Sequence, residues 1–154
     1  MSKALVAYFS ASGVTAKVAE KLAGAIGADL YEIKPEQTYT DADLNWQDKQ
    51  NNARPELVSI PESIDGYDTI ILGYPNYWGT MPMAVFTFLD AFDFSGKTIL
   101  PLCTNEGSGM GTSESDIKKT CTGADVKRGL ALNGSSVGSS DSQVESWLKT
   151  NGLM

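Results

Sequence analysis

Three hydroxyl side chains and a glycine fall within Ser10-Ala11-Ser12-Gly13-Val14-Thr15, and no lysine, arginine, aspartate or glutamate interrupts them. The hydroxyls of Ser10, Ser12 and Thr15 are neutral hydrogen-bond donors, and Gly13 allows a ligand close to the backbone. A helix starting near Thr15 leaves its first N–H groups unpaired, and its dipole adds partial positive charge at the loop. Such a loop can hold a phosphate monoester with neutral donors alone. The same residues also suit an ordinary strand-to-helix turn with a Ser or Thr cap, so the loop does not decide the matter by itself.

Two further stretches carry unusual chemistry. Tyr74-Pro75-Asn76-Tyr77-Trp78-Gly79-Thr80-Met81-Pro82 offers Tyr77 and Trp78 as flat apolar surfaces, although an aromatic pair beside Pro75 could also simply close a strand end. Thr104-Asn105-Glu106-Gly107-Ser108-Gly109-Met110-Gly111 offers backbone N–H and carbonyl groups with little side-chain obstruction. Together the three stretches suit a planar, hydrogen-bonding ring tethered to a phosphate, a description that flavin mononucleotide (FMN) meets. Its isoalloxazine can stack on an aromatic while its pyrimidine edge bonds to loop backbone.

The elements that must position these stretches are legible from periodicity. Ala4 to Phe9 is an apolar run without alternation, as expected of a strand covered on both faces. After the loop, Val18, Leu22 and Ile26 recur at helical spacing, with Gly27 as a stop. Asp29 to Ile33 alternates like an exposed edge strand; Asp68 to Gly73 and Thr98 to Cys103 read as buried strands, the latter despite Pro101; Val126 to Leu132 fits a last strand. Helices are expected over Met83 to Phe92, Ser113 to about Cys121 with Ser113 or Ser115 as cap, and Ser140 to Lys149. Strand and helix alternating five times predicts an α/β protein, a doubly wound parallel sheet with helices on both faces. In such sheets, ligands bind where loops leave the carboxyl ends of the strands, and all three stretches follow strands.

The segment from Lys34 to Asp65 is long and polar, with Pro35, Pro55 and Pro61. Within it, Tyr39 and Trp46 would anchor the segment to the body or cover a ligand.

Composition narrows the classes. With 154 residues, 42% of them hydrophobic, a single domain spanning 1–154 is expected. Twelve basic and 19 acidic residues give a net charge of −7, which disfavours nucleic acid and suits a carrier that meets basic surfaces. The start runs directly into the first strand and no window of about 18 apolar residues occurs, so a cytoplasmic location with no membrane partner is expected. Cys103 and Cys121 are too few and too far apart for a disulfide framework or metal site, and histidine is absent. Gly96-Lys97-Thr98 imitates the end of a triphosphate loop, but Ala91 stands where that loop needs its leading glycine; Gly107-x-Gly109-x-Gly111 lacks the context of a dinucleotide fingerprint.

The chain resembles the flavodoxins. Ser10-x-Ser12-Gly13-x-Thr15 after the first strand is similar to that family's phosphate loop, and Tyr74 through Pro82 resembles the ring-binding loop of its shorter members. The resemblance covers essentially the whole chain and implies a five-stranded parallel sheet of order 2-1-3-4-5 with FMN as cofactor. The cofactor-binding residues it implies are Ser10, Ala11, Ser12, Gly13, Val14 and Thr15, then Pro75, Asn76, Tyr77, Trp78 and Gly79, then Thr104, Asn105, Glu106, Gly107 and Gly109. Electron-carrier flavodoxins usually place one aromatic on each ring loop, whereas here Tyr77 and Trp78 are adjacent and the third loop has none. Trp46 is a candidate for the missing face. The expected function is FMN-dependent electron transfer between redox partner proteins, with no catalytic or metal-binding residue. The alternatives are an NAD(P)H-dependent FMN reductase or quinone oxidoreductase, and a non-redox binding module.

Overall fold

The computed structural model describes residues 4–9, 14–34, 57–58, 60, 63–76, 81, 83–105, 111–133 and 141–153. In chain order these form β1 (Ala4–Tyr8), α1 (Val14–Ile26), β2 (Asp29–Glu32), β3 (Thr69–Pro75), α2 (Met83–Asp90), β4 (Thr98–Asn105), α3 (Ser113–Thr120), β5 (Asp125–Val126), β6 (Leu130–Asn133) and α4 (Asp141–Thr150). All strand pairings are parallel, in the order β2-β1-β3-β4, with β5 and β6 both on the outer side of β4. Each return to a parallel neighbour requires a crossover, and α1, α2 and α3 lie in those from β1 to β2, β3 to β4 and β4 to β5.

The unbroken apolar runs are explained by two cores, one on each face of the sheet. Leu5, Ala7, Ile70, Leu72 and Tyr74 face Val85, Phe88 and Leu89 of α2 and Ile117 of α3. Their neighbours Val6, Tyr8, Ile71, Leu100 and Leu102 face Val18, Leu22 and Ala23 of α1 and Leu148 of α4. Successive strand residues point to opposite faces, so a central strand buried on both must be apolar at every position. Each aliphatic side chain so buried contributes about 1.5–3 kcal/mol. β2, at the edge, is mostly exposed, with Leu30 at 43%.

One expectation needs correction: the last strand, expected as a single run from Val126 to Leu132, is two strands, which makes six among the described residues. Ile99 pairs with Val126 and Leu102 with Leu130, so three residue steps on β4 face four on the edge strand. Pro101 explains where the extra residue goes. Lys127 N donates to Ile99 O (3.0 Å) while Thr98 N donates to Asp68 O (2.9 Å), so the odd-numbered residues of β4 turn their polar groups outward. Pro101 therefore has no donor to offer the edge strand at its centre. The bulged residues find partners among helix side chains instead. Gly129 N donates to Glu114 Oε1 (2.6 Å), and Trp147 Nε1 donates to Arg128 O (3.1 Å).

Smaller differences concern boundaries. β3 and β4 run two residues beyond the expected ends, through Pro75 and Asn105, so Pro75, Thr104 and Asn105 are strand residues. α2 stops at Asp90 instead of Phe92. Neither Ser113 nor Ser115 caps α3: the cap position is Thr112, whose hydroxyl donates to Asp116 Oδ2 at 2.9 Å. Gly27 ends α1 as expected, at φ 68°, with Ala28 N bonded to Ala23 O (3.0 Å). Tyr39 and Trp46 lie outside the described residues; of their segment, Val58 N donates to Lys34 O at 2.8 Å.

Candidate functional site

A parallel sheet ends all its strands at one edge, and the register fixes how those ends align. Tyr8 lies opposite Gly73, Pro75 opposite Thr104, and Asn105 opposite Asn133. The stems of the three sequence-predicted loops therefore stand side by side on β1, β3 and β4. Ser10, Ala11, Ser12 and Gly13 of the first loop, Tyr77, Trp78 and Gly79 of the second, and Glu106, Gly107 and Gly109 of the third lie outside the described residues. Val14 opens α1. Thr15, Pro75, Asn76, Thr104 and Asn105 are brought together at the edge as the spacing predicts.

Thr15 and Thr104, 89 residues apart in sequence, are joined there by a buried hydrogen bond of 2.9 Å between their hydroxyls. The two are 2% and 4% exposed. Two hydroxyls carry two protons, and one is spent between them, so the pair keeps one donor for a further acceptor. Thr15 is held from a third side by β3, because a Cβ on Gly73 would come within 3.3 Å of both Thr15 Cγ2 and Tyr8 Cβ. The absence of a side chain at Gly73 thus lets the first turn of α1 settle against the sheet. That turn contains no acidic residue, so none of its own side chains offsets the positive end of the helix dipole. These donors fit a phosphate monoester.

The second and third loops are tied at their stems as well. Asn76 N donates to Thr104 O (2.8 Å), and Asn105 Nδ2 donates to Leu132 O (3.2 Å). The phenol of Tyr74 donates to Ser113 Oγ at 2.9 Å, with both side chains at 0% exposure. Burial pushes that phenol well above its ordinary range, with Ser113 only partly opposing the shift, so it stays protonated and donates at any ordinary pH. Gly111, at the end of the third loop, has φ 59°, a left-handed conformation that glycine adopts without strain. Met81, fully buried, pins the end of the second loop into the core under α2.

Tyr8, at the end of β1, is also held neutral, by burial first and then by Glu32 and Glu20. Among the described residues, no group of three or more His, Cys, Asp and Glu side chains could hold a metal ion, and no helix is long and apolar enough to cross a membrane. Cys103 and Cys121 are buried thiols not joined in a disulfide, and desolvation pushes both up to about 12.

Reading by sequence passed over Gly73 and Ser113 as parts of this edge, and placed Tyr74 in the second stretch without assigning its hydroxyl a role. One signal for Tyr74 was present: a tyrosine ending a fully apolar strand needs a partner for its hydroxyl. A fourth segment leaving this edge, Gly134 to Ser140 after β6, was likewise passed over, although it repeats the Gly and Ser character of the first loop; it lies outside the described residues.

The model of the family described as flavodoxin matches residues 3–151. Among solved structures, a candidate flavoprotein of Bacteroides eggerthii is 39% identical, covering 97% of this chain and 98% of its own, with a TM-score of 0.81. A candidate flavoprotein of Bacteroides uniformis is 38% identical over 96% and 98% of the two chains, TM-score 0.81. A flavoprotein of Lactobacillus acidophilus, solved in complex with FMN, is 26% identical over 90% and 98%, TM-score 0.72. No curated protein sequence matches the chain.

Proposed function

Because this chain belongs to the flavodoxin family, we propose that it binds FMN at the carboxyl edge of its sheet and carries electrons between redox partners. The observation that carries this reading is the buried Thr15–Thr104 pair, which fixes the phosphate-loop helix directly against the strand that leads into a ring loop. The complex of the Lactobacillus acidophilus relative with FMN supports the choice of cofactor.

In this reading Ser10, Ser12 and Thr15 donate hydroxyl hydrogens to the phosphate, while Ala11, Gly13 and Val14 turn backbone N–H groups toward it. Pro75, Asn76, Tyr77, Trp78 and Gly79 line one side of the ring, and Thr104, Asn105, Glu106, Gly107 and Gly109 another. The bound flavin supplies the redox chemistry, taking up and releasing electrons. The protein's part is to hold, orient and tune. Glu106 and the net charge of −7 make added negative charge at the site costlier, which lowers the potential for full reduction. The same charge suits electron donors and acceptors that present basic docking surfaces, in the cytoplasm, to a chain acting as one domain.

The carrier reading is tested by anaerobic steady-state kinetics with the FMN-loaded protein. We expect NAD(P)H oxidation with a quinone acceptor to run no faster than with free FMN, while a flavoprotein reductase reduces the protein and a second acceptor reoxidises it. Saturable NAD(P)H turnover by the protein alone would replace the carrier with a flavin-dependent reductase.

A further inference from the structure

Both ends of the third loop are fastened to one short stretch, the exit of β3 at Tyr74–Asn76. The loop begins where Thr104 O accepts from Asn76 N at 2.8 Å. It finishes at Ser113, the first residue of α3, where Oγ accepts from the Tyr74 phenol at 2.9 Å across 39 residues of sequence. Between these two ties lie Glu106, Gly107 and Gly109; directly after the β3 exit come Tyr77 and Trp78. The exit of β3, before the second loop, and the start of α3, after the third, are thus joined by a side-chain hydrogen bond.

The hydroxyl of Tyr74 is the informative part. Its ring packs in the core facing α2 and α3, and a phenylalanine would fill that space equally well. A buried phenol instead brings a polar group that must be satisfied, and this one donates to Ser113 Oγ at the start of α3. Being fully buried, Tyr74 has no surface to offer a ligand.

We infer that Tyr74, acting through Ser113, is a positioning residue for the flavin ring: it ties the β3 exit that leads into one ring-binding loop to the helix start that follows the other, and thereby tunes the environment of the ring, without binding the cofactor itself. The inference rests on the FMN reading.

The test uses the full chain with Tyr74→Phe, Ser113→Ala and the double variant, measuring FMN and riboflavin dissociation constants, both midpoint potentials and the unfolding midpoint. We expect each single variant to bind FMN and riboflavin more weakly by a common factor of about three to ten, because the tie acts on the ring and not on the phosphate. The double variant should be no worse than the weaker single, since both remove one bond. The midpoint potentials should shift in all three. Lower stability with unchanged affinities and potentials would overturn the inference, leaving a purely structural bond. So would a loss confined to FMN, which would place the effect at the phosphate. Ser113→Ala serves independently should Tyr74→Phe fold poorly. Wild-type protein that takes up no flavin would overturn the FMN reading itself and this inference with it, whereas normal uptake with silent variants overturns the inference alone.

Discussion

The Thr15 hydroxyl has one task visible in the structure and one proposed, and its geometry allows both. It is paired with Thr104 at 2.9 Å, and the pair retains a second proton for a phosphate oxygen. The loop it closes contains Gly13, where a side chain would obstruct the approach of an anion to the backbone. Gly13→Val should therefore weaken FMN by at least about tenfold while changing riboflavin little, as measured by quenching of flavin fluorescence; equal losses for both would contradict the phosphate role. The two thiols give a second prediction. Cys103 and Cys121, raised by burial from 9.0 to about 12, stay protonated in the folded chain while the unfolded chain begins to ionise near 9. Their contribution to stability is thus complete below pH 9 and is lost as the pH rises from 9 to about 12, so thermal unfolding midpoints should fall across that window. Replacing both by alanine should flatten this part of the profile.

At the scale of elements, the site depends on how closely α1 lies against β3. Gly73→Ala would put a methyl 3.3 Å from Thr15 Cγ2 and Tyr8 Cβ, and neither can move freely. Thr15 is fastened to Thr104, and Tyr8 Cβ adjoins a strand backbone paired on both sides. The substitution should cost about 1–3 kcal/mol by denaturant unfolding and should weaken FMN more than riboflavin, because it displaces the start of the phosphate helix. Unchanged stability would show that α1 has slack. This is also the scale at which reading the sequence succeeded unevenly. The strands covered on both faces stood out because no polar residue interrupts Ala4 to Phe9 or Ile70 to Leu72, and the stop at Gly27 was plain from its position. The broken edge strand was not legible: Pro101 warned of a missing donor, but only the pairing shows that the missing N–H faces β5 and β6. Links such as Thr15 to Thr104 or Tyr74 to Ser113 join residues 89 and 39 positions apart, which no local pattern encodes.

For the molecule as a whole, the parallel arrangement makes the site possible, since it gathers the exits of β1, β3 and β4 at one edge. Four buried or partly buried ties brace that edge, at Thr15–Thr104, Asn76–Thr104, Tyr74–Ser113 and Asn105–Leu132, so the cofactor would meet stems already in place. The central claim, that these stems carry a phosphate loop and two ring loops for FMN, is tested most directly by titrating flavin-free protein with FMN and following the visible absorption and fluorescence of the flavin. Saturation at one FMN per chain is predicted, with shifted absorption bands, quenched fluorescence, and weaker binding of riboflavin than of FMN. A protein that leaves the spectrum of added FMN unchanged at saturating concentration would contradict the account.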